Sequence, residues 1–92
     1  MEIRFYISRQ SGLPHAQSHG VDEYEVQEVL EAPLEDGSGI EDTRVAIGQT
    51  AAGRFLKVIY VPEPESETVF VITAYDLGPK ALKALRRRMR RR

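Results

Sequence analysis

Residues 44–60 read R-V-A-I-G-Q-T-A-A-G-R-F-L-K-V-I-Y, and this stretch decides the fold. Two runs of β-favouring residues flank Thr50-Ala51-Ala52-Gly53. Gly53 can take positive φ at no steric cost, so the segment reads as a hairpin with a four-residue loop. Val45 and Ile47 alternate with Arg44 and Ala46, giving the first strand one apolar and one more polar face. The second strand is apolar on both sides, Phe55 and Ile59 on one and Leu56, Val58 and Tyr60 on the other. Such a strand belongs inside a sheet, covered on both faces. Residues 68–75, T-V-F-V-I-T-A-Y, form a third strand of the same kind, reached over the turn at 62–67. An antiparallel meander follows, its inner strand spanning 54–61 and carrying Arg54 and Lys57.

Outward from the meander, residues 2–8 alternate Ile3, Phe5 and Ile7 against Arg4, Tyr6 and Ser8, the pattern of a half-buried strand. Gln10-Ser11-Gly12 is a turn, and Pro14 suits the start of a short helix that ends before Gly20. That helix presents His15 and His19, four apart, on one face. Asp22 caps a second helix, with Glu25 completing a capping box and Val21 stapled onto Val26. Val26, Val29 and Leu30 form its apolar stripe, and Pro33 ends it. The run E-D-G-S-G-I-E-D, 35–42, is expected to be a flexible acidic loop. Pro79 opens a third helix whose Leu82, Leu85 and Met89 make one narrow stripe against the sheet, with fraying beyond Met89. The order is β-α-α-β-β-β-α: an α+β fold, a twisted antiparallel sheet with helices packed on one side. One domain, 1–92, is expected, ending in an Arg-rich helix over 80–92.

Composition narrows the function classes. The chain of 92 residues is 41% hydrophobic and 29% charged, ordinary for a globular protein. Its apolar runs are too short to cross a bilayer, and M-E-I-R-F-Y is not a signal-peptide start, so a cytoplasmic protein without a membrane partner is expected. With no cysteine, disulfides, thiolate nucleophiles and cysteine-based zinc sites are excluded. The formal net charge of −1 conceals an asymmetry: residues 1–79 hold all 14 acidic groups and five basic ones, whereas 80–92 hold eight basic groups and no acid. Segregation of this kind fits an interaction segment for a polyanion or an acidic partner, and equally a solvated helix end favoured by the dipole.

His15 and His19 have the spacing of helical metal ligands, but the pattern offers no third ligand beyond surface carboxylates, and neither metal nor cofactor is assigned. Packing near the Gly20 turn, acid–base work and phosphate contact remain open for this pair. Arg44, Arg54, Lys57 and Lys80, with Tyr6, Tyr60 and Tyr75, are the parts that metal-free phosphodiester cleavage requires. Cations stabilise the charge that develops on phosphorus, and acid and base groups serve the leaving oxygen and the attacking 2′-hydroxyl. Flat rings give unpaired bases something to stack on. The same Arg and Tyr residues could instead pair with helix carboxylates and fill a sheet face.

Three segments together carry a family resemblance: S-H-G-V-D-E-Y-E-V-Q-E-V-L-E-A-P, E-D-T-R-V-A-I-G-Q-T-A-A-G-R-F-L-K-V-I-Y and V-F-V-I-T-A-Y-D-L. They resemble the BrnT-like toxins, small relatives in fold of the RelE toxins, grouped with DUF4258-type proteins. The resemblance spans roughly His15 to Lys80, and its most specific pieces are the H-G-V helix start and the R-x-x-x-I-G-x-T-x-x-G-R hairpin. It implies a type II toxin: an endoribonuclease that cleaves RNA, with mRNA the expected substrate, and so inhibits translation. A cognate antitoxin would hold it inactive, and oligomers would form only with that antitoxin. His19, Arg44 and Arg54 match the family pattern as catalytic candidates. After the last strand the family has I-S-A-R and later a Glu and a Tyr, where this chain has I-T-A-Y-D-L and an Arg-rich helix. Tyr75 therefore enters on its chemistry alone. His15, Lys57, Lys80, Arg86, Arg87 and Arg90 are the RNA-binding candidates. A shallow basic groove between the sheet and the His15–His19 helix is expected, with Arg44 and Arg54 facing each other across the hairpin. The competing reading is a non-catalytic RNA- or protein-binding module that uses the basic C-terminal helix.

Overall fold

A computed structural model describes residues 2–92. The strands are β1 (Glu2–Phe5), β2 (Glu35–Ser38), β3 (Arg44–Gln49), β4 (Phe55–Glu63) and β5 (Thr68–Asp76). The helices are α1 (Glu23–Glu31) and α2 (Pro79–Arg90), with a short 3-10 helix at His15–His19 and a single 3-10 turn at Pro64–Ser66. The sheet runs β1-β5-β4-β3-β2.

The hairpin forms as its sequence dictates. Thr50 N–H donates to Arg54 O at 2.8 Å, Gly53 N–H donates to Thr50 O at 2.9 Å, and Gly53 sits at φ +93°. β4 is the inner strand, paired antiparallel to β3 on one side and to β5 on the other. Its even positions, Leu56, Val58 and Tyr60, are buried with Ala46, Val71 and Ala74 beneath Val21, Val26 and Val29. Across from β4, the β5 ladder slips by one residue between Ile59 and Tyr60. That bulge lets Val71 and Ala74, three apart, both turn inward. The α1 cap also forms as expected. Asp22 Oδ1 accepts from Glu25 N at 2.8 Å, Glu25 Oε1 accepts from Asp22 N at 3.2 Å, and Val21 and Val26 are both buried. Gly48 lets α1 approach β3 closely, since a Cβ there would lie 3.1 Å from Val29 Cγ1.

Four expectations need correction. The sheet is mixed rather than antiparallel, because β1 pairs with β5 in parallel register, Glu2 beside Thr68 to Phe5 beside Val71. The acidic segment after Pro33 is not all loop: Glu35–Ser38 is edge strand β2, in register Glu35 beside Ile47 to Ser38 beside Arg44. Its residues are weak strand formers, and its side chains fasten it instead. Asp36 accepts from the Tyr60 hydroxyl at 2.7 Å, and Glu35 accepts from Arg88 Nε at 2.7 Å. The helices do not all share one side. α1 covers the Leu56 face, whereas α2 lies on the other, with the Arg86 guanidinium 5.8 Å from the Phe55 ring centre and Leu85 fully buried. The reason is visible in β4: Phe55 and Ile59 make its second face apolar too, and that face needs cover. Finally, the tail does not simply fray after Met89. The helix runs to Arg90, and Arg92 donates to Leu34 O and to Glu35.

Among the described residues no helix is long and apolar enough to cross a membrane.

Candidate functional site

The expected catalytic residues do not converge on one point. Arg44 stands opposite Tyr60, whereas Arg54 lies next to the hairpin loop, where its carbonyl accepts from Thr50. In an antiparallel pair only equivalent ends oppose each other. The length of β3 therefore separates the two arginines by roughly 20 Å of strand, and they do not face across the hairpin.

Arg54 is a structural clamp. Its Nε and Nη2 donate to the two Asp76 carboxylate oxygens, each at 2.8 Å, and its Nη1 donates to Glu25 Oε1 and Gly20 O, each at 2.8 Å. One guanidinium thus ties β5, the N-terminal turn of α1 and the end of the 3-10 helix to the hairpin. The hydrogen bonds to Asp76, then those to Glu25, raise the Arg54 pKa further, and the Arg54 bond in turn lowers that of Asp76. Arg54→Ala should leave Glu25, 18% exposed, without its cation and cost about 1–3 kcal/mol in chemical unfolding, with the activity of each folded molecule unchanged.

Arg44 is likewise engaged. It donates from Nε to Asp36 Oδ1 at 3.2 Å, and its neighbours Tyr60 and Asp36 raise its pKa. Burial pushes the Tyr60 phenol up. On the other sheet face, the Glu35 carboxyl is lowered by its bond to Arg88. Asp76 and Glu35 are thus depressed on folding. A depressed carboxylate stabilises the fold above its unfolded pKa and loses that contribution as pH falls through the folded value. Melting temperature should therefore drop on acidification below the ordinary carboxylate range, and Asp76→Asn should flatten the drop.

A different set does converge. The 3-10 helix packs on β5, and its His19 ring stands 5.8 Å from the Tyr75 ring at 63°. Tyr75 pairs with Lys57 across the β4–β5 ladder, and the Lys57 ammonium lies 6.0 Å from the centre of the Tyr75 ring. Behind His19 comes His15, its ring 5.3 Å away at 82°. Tyr6 follows, 6.1 Å from His15 at 61°. The local cause is plain: Gly20, at φ +73°, closes the 3-10 helix, and Tyr6 N–H donates to Val71 O, seating this segment along β5. The arrangement offers an imidazole able to move protons, a phenol, an ammonium for an anion, and exposed ring faces.

Of the sequence candidates, then, His15, His19, Lys57 and Tyr75 are gathered. Arg54 adjoins them, bonded to Gly20 O next to His19 and to Asp76 next to Tyr75 but occupied by its carboxylates, while Arg44 is held at the far end of β3 by Asp36. Lys80, Arg86, Arg87 and Arg90 belong to α2 on the second sheet face, and among the described residues Lys57, Lys80, Arg87 and Arg90 make no ion pair. Tyr6 is the member whose place in the row the sequence did not reveal. The Lys57–Tyr75 pairing was within reach, because it follows from the β4–β5 register once the turn between them is fixed. Among the described residues no trio of His, Asp or Glu side chains gathers as a metal site.

Compared with known proteins, the chain matches no family model, no curated protein and no solved structure.

Proposed function

We propose that this chain is a metal-independent endoribonuclease of the BrnT-like, RelE-like toxin type, acting on mRNA and inhibited by a cognate antitoxin protein. The observation that supports it is the contact of His19, Tyr75 and Lys57 at the edge of β5. The imidazole at 5.8 Å and the ammonium at 6.0 Å both approach the Tyr75 ring, and the phosphodiester is taken to sit beside that ring within reach of both. His19, neutral, takes the proton of the 2′-hydroxyl as that oxygen attacks the adjacent phosphorus. Lys57 stabilises the charge gathering on the phosphorane oxygens. The bond from phosphorus to the 5′-oxygen breaks, and the Tyr75 phenol protonates the departing oxygen. The products are a 2′,3′-cyclic phosphate and a 5′-hydroxyl, and the proton held by His19 returns to the phenolate through water.

The test is incubation of the purified chain with labelled single-stranded RNA in the presence of a chelator. Fragments ending in a cyclic phosphate are expected, with the all-deoxy strand intact. Uncleaved RNA under every condition would remove the enzyme reading. Expression should also arrest growth, and the antitoxin should restore it.

The second reading, a binding module built on α2, draws on a separate observation. Arg88 and Arg92 pair with Glu35 and hold the helix, while Lys80, Arg87 and Arg90 are exposed and, among the described residues, make no ion pair. Replacing these three by Ala should flatten the salt dependence of RNA binding by about 2 in the log–log slope, roughly 0.7 for each phosphate left without its cation. Removing residues 90–92 is the poorer probe, because Arg92 also anchors α2 to Leu34. An unchanged slope would assign these cations to solubility or to a protein partner.

A further inference from the structure

We infer that the edge of the sheet beside β5 carries a track for unpaired RNA, in which Tyr6 and His15 stack the bases next to the scissile nucleotide. This deepens the ribonuclease reading and rests on it. Residues 6–15 form a small hairpin beyond β1: His15 N–H donates to Tyr6 O at 2.9 Å, Ser8 N–H to Leu13 O at 2.9 Å and Gly12 N–H to Ser8 O at 2.8 Å. Gly12, at φ +71°, supplies the turn. The pairing sets Tyr6 beside His15, and Leu13, two positions back, falls on the same face by alternation.

The hairpin does not bury what it carries. Tyr6 is 45% and Leu13 51% exposed. Neither side chain belongs to the hydrophobic core, so burial does not explain the row. The ring-to-ring steps from Tyr6 through His15 and His19 to Tyr75 are 6.1, 5.3 and 5.8 Å, each edge to face. In an edge-to-face pair the edge of one ring covers one face of the other, so the inner rings of the row are partly covered. Tyr6, at its end with His15 as the one ring contact among the described residues, keeps at least one face open to another flat group. Lys57 stands only at the Tyr75 end of the row. A cation for a phosphate and aromatic rings for bases are the two kinds of group that single-strand binding combines. Bases in a duplex have their faces covered by neighbours, so the track takes unpaired strands and tolerates any base, since each has a π-face.

The experiment uses the full chain and a short single-stranded 2′-O-methyl oligonucleotide, which lacks the attacking hydroxyl and cannot be cleaved. The strand carries fluorescein for anisotropy and an internal 2-aminopurine whose emission falls on stacking. Wild type should bind the strand and quench the 2-aminopurine. Tyr6→Ala should weaken binding by roughly 5- to 150-fold, the loss of one stacked base, and abolish the quench, while Tyr6→Phe keeps both. The same strand annealed to its complement should bind about tenfold more weakly. Wild-type affinity in Tyr6→Ala, or equal affinity for duplex and single strand, overturns the track. The two proposals part cleanly, because this probe is not cut. Tyr6-dependent binding by a chain that cleaves no RNA keeps the track and removes the nuclease, whereas cleavage with KM unchanged in Tyr6→Ala removes the track alone.

Discussion

His19→Ala should lower the rate of RNA cleavage by roughly 10²–10⁴-fold, the usual contribution of one positioned acid–base group. The same substitution should leave the melting temperature within error. His19 is exposed at the end of a short 3-10 helix, and its ring neighbours are His15 and Tyr75 rather than core side chains. Lys57→Met should also impair cleavage and Lys57→Arg should retain part of it, since the role asked of Lys57 is charge. Arg54→Ala supplies the opposite pattern: a lowered melting temperature with activity per folded molecule preserved. The contrast separates a site at the β5 edge from one at the hairpin. If His19→Ala cleaves as fast as wild type while Arg44→Ala does not, chemistry belongs with Arg44, Tyr60 and Asp36 at the far end of β3.

The parts of the fold that could be read in advance are those whose causes lie close together in the chain. Alternation, Gly53 and a short loop fix the 44–60 hairpin, and Asp22 with Glu25 fixes the start of α1. What escaped depends on distant partners. Nothing inside E-D-G-S favours a strand; β2 exists because Tyr60 and Arg88 hold Asp36 and Glu35 from far along the sequence. The partner of β1 is equally invisible in β1 itself, and its parallel match to β5 closes the sheet on the side away from β2. The same division runs through the site. The spacing of His15 and His19 is local and was legible. The separation of Arg44 from Arg54 required counting register away from the loop, which puts Arg44 opposite Tyr60. The carboxylates that occupy Arg54 come from α1 and β5, pairings that a single strand's pattern does not encode.

The largest loss of stability should come from Leu56→Ala, about 2–4 kcal/mol in chemical unfolding. Leu56 is fully buried, in the inner strand, and belongs to a core cluster drawn from separate elements: Val26 and Val29 from α1, Ala46 from β3, Ala74 from β5. Deleting its branched end strips apolar packing from the middle of that cluster. The backbone of β4 is hydrogen-bonded to strands on both sides and cannot move in to fill the space. For a domain of this size each kcal/mol shifts the midpoint by about 4–8 °C, so melting should fall by on the order of 10–25 °C. Leu56→Met, close in volume, should lose much less. The pair of variants also bears on the site. Lys57 and its partner Tyr75 occupy the next rung of the same ladder, on the opposite face. A loosened β4 should then weaken RNA cleavage as the protein nears its melting point, while the rate per folded molecule well below it stays close to wild type. A Leu56→Ala chain as stable as wild type would mean that β4 is not the centre of the core.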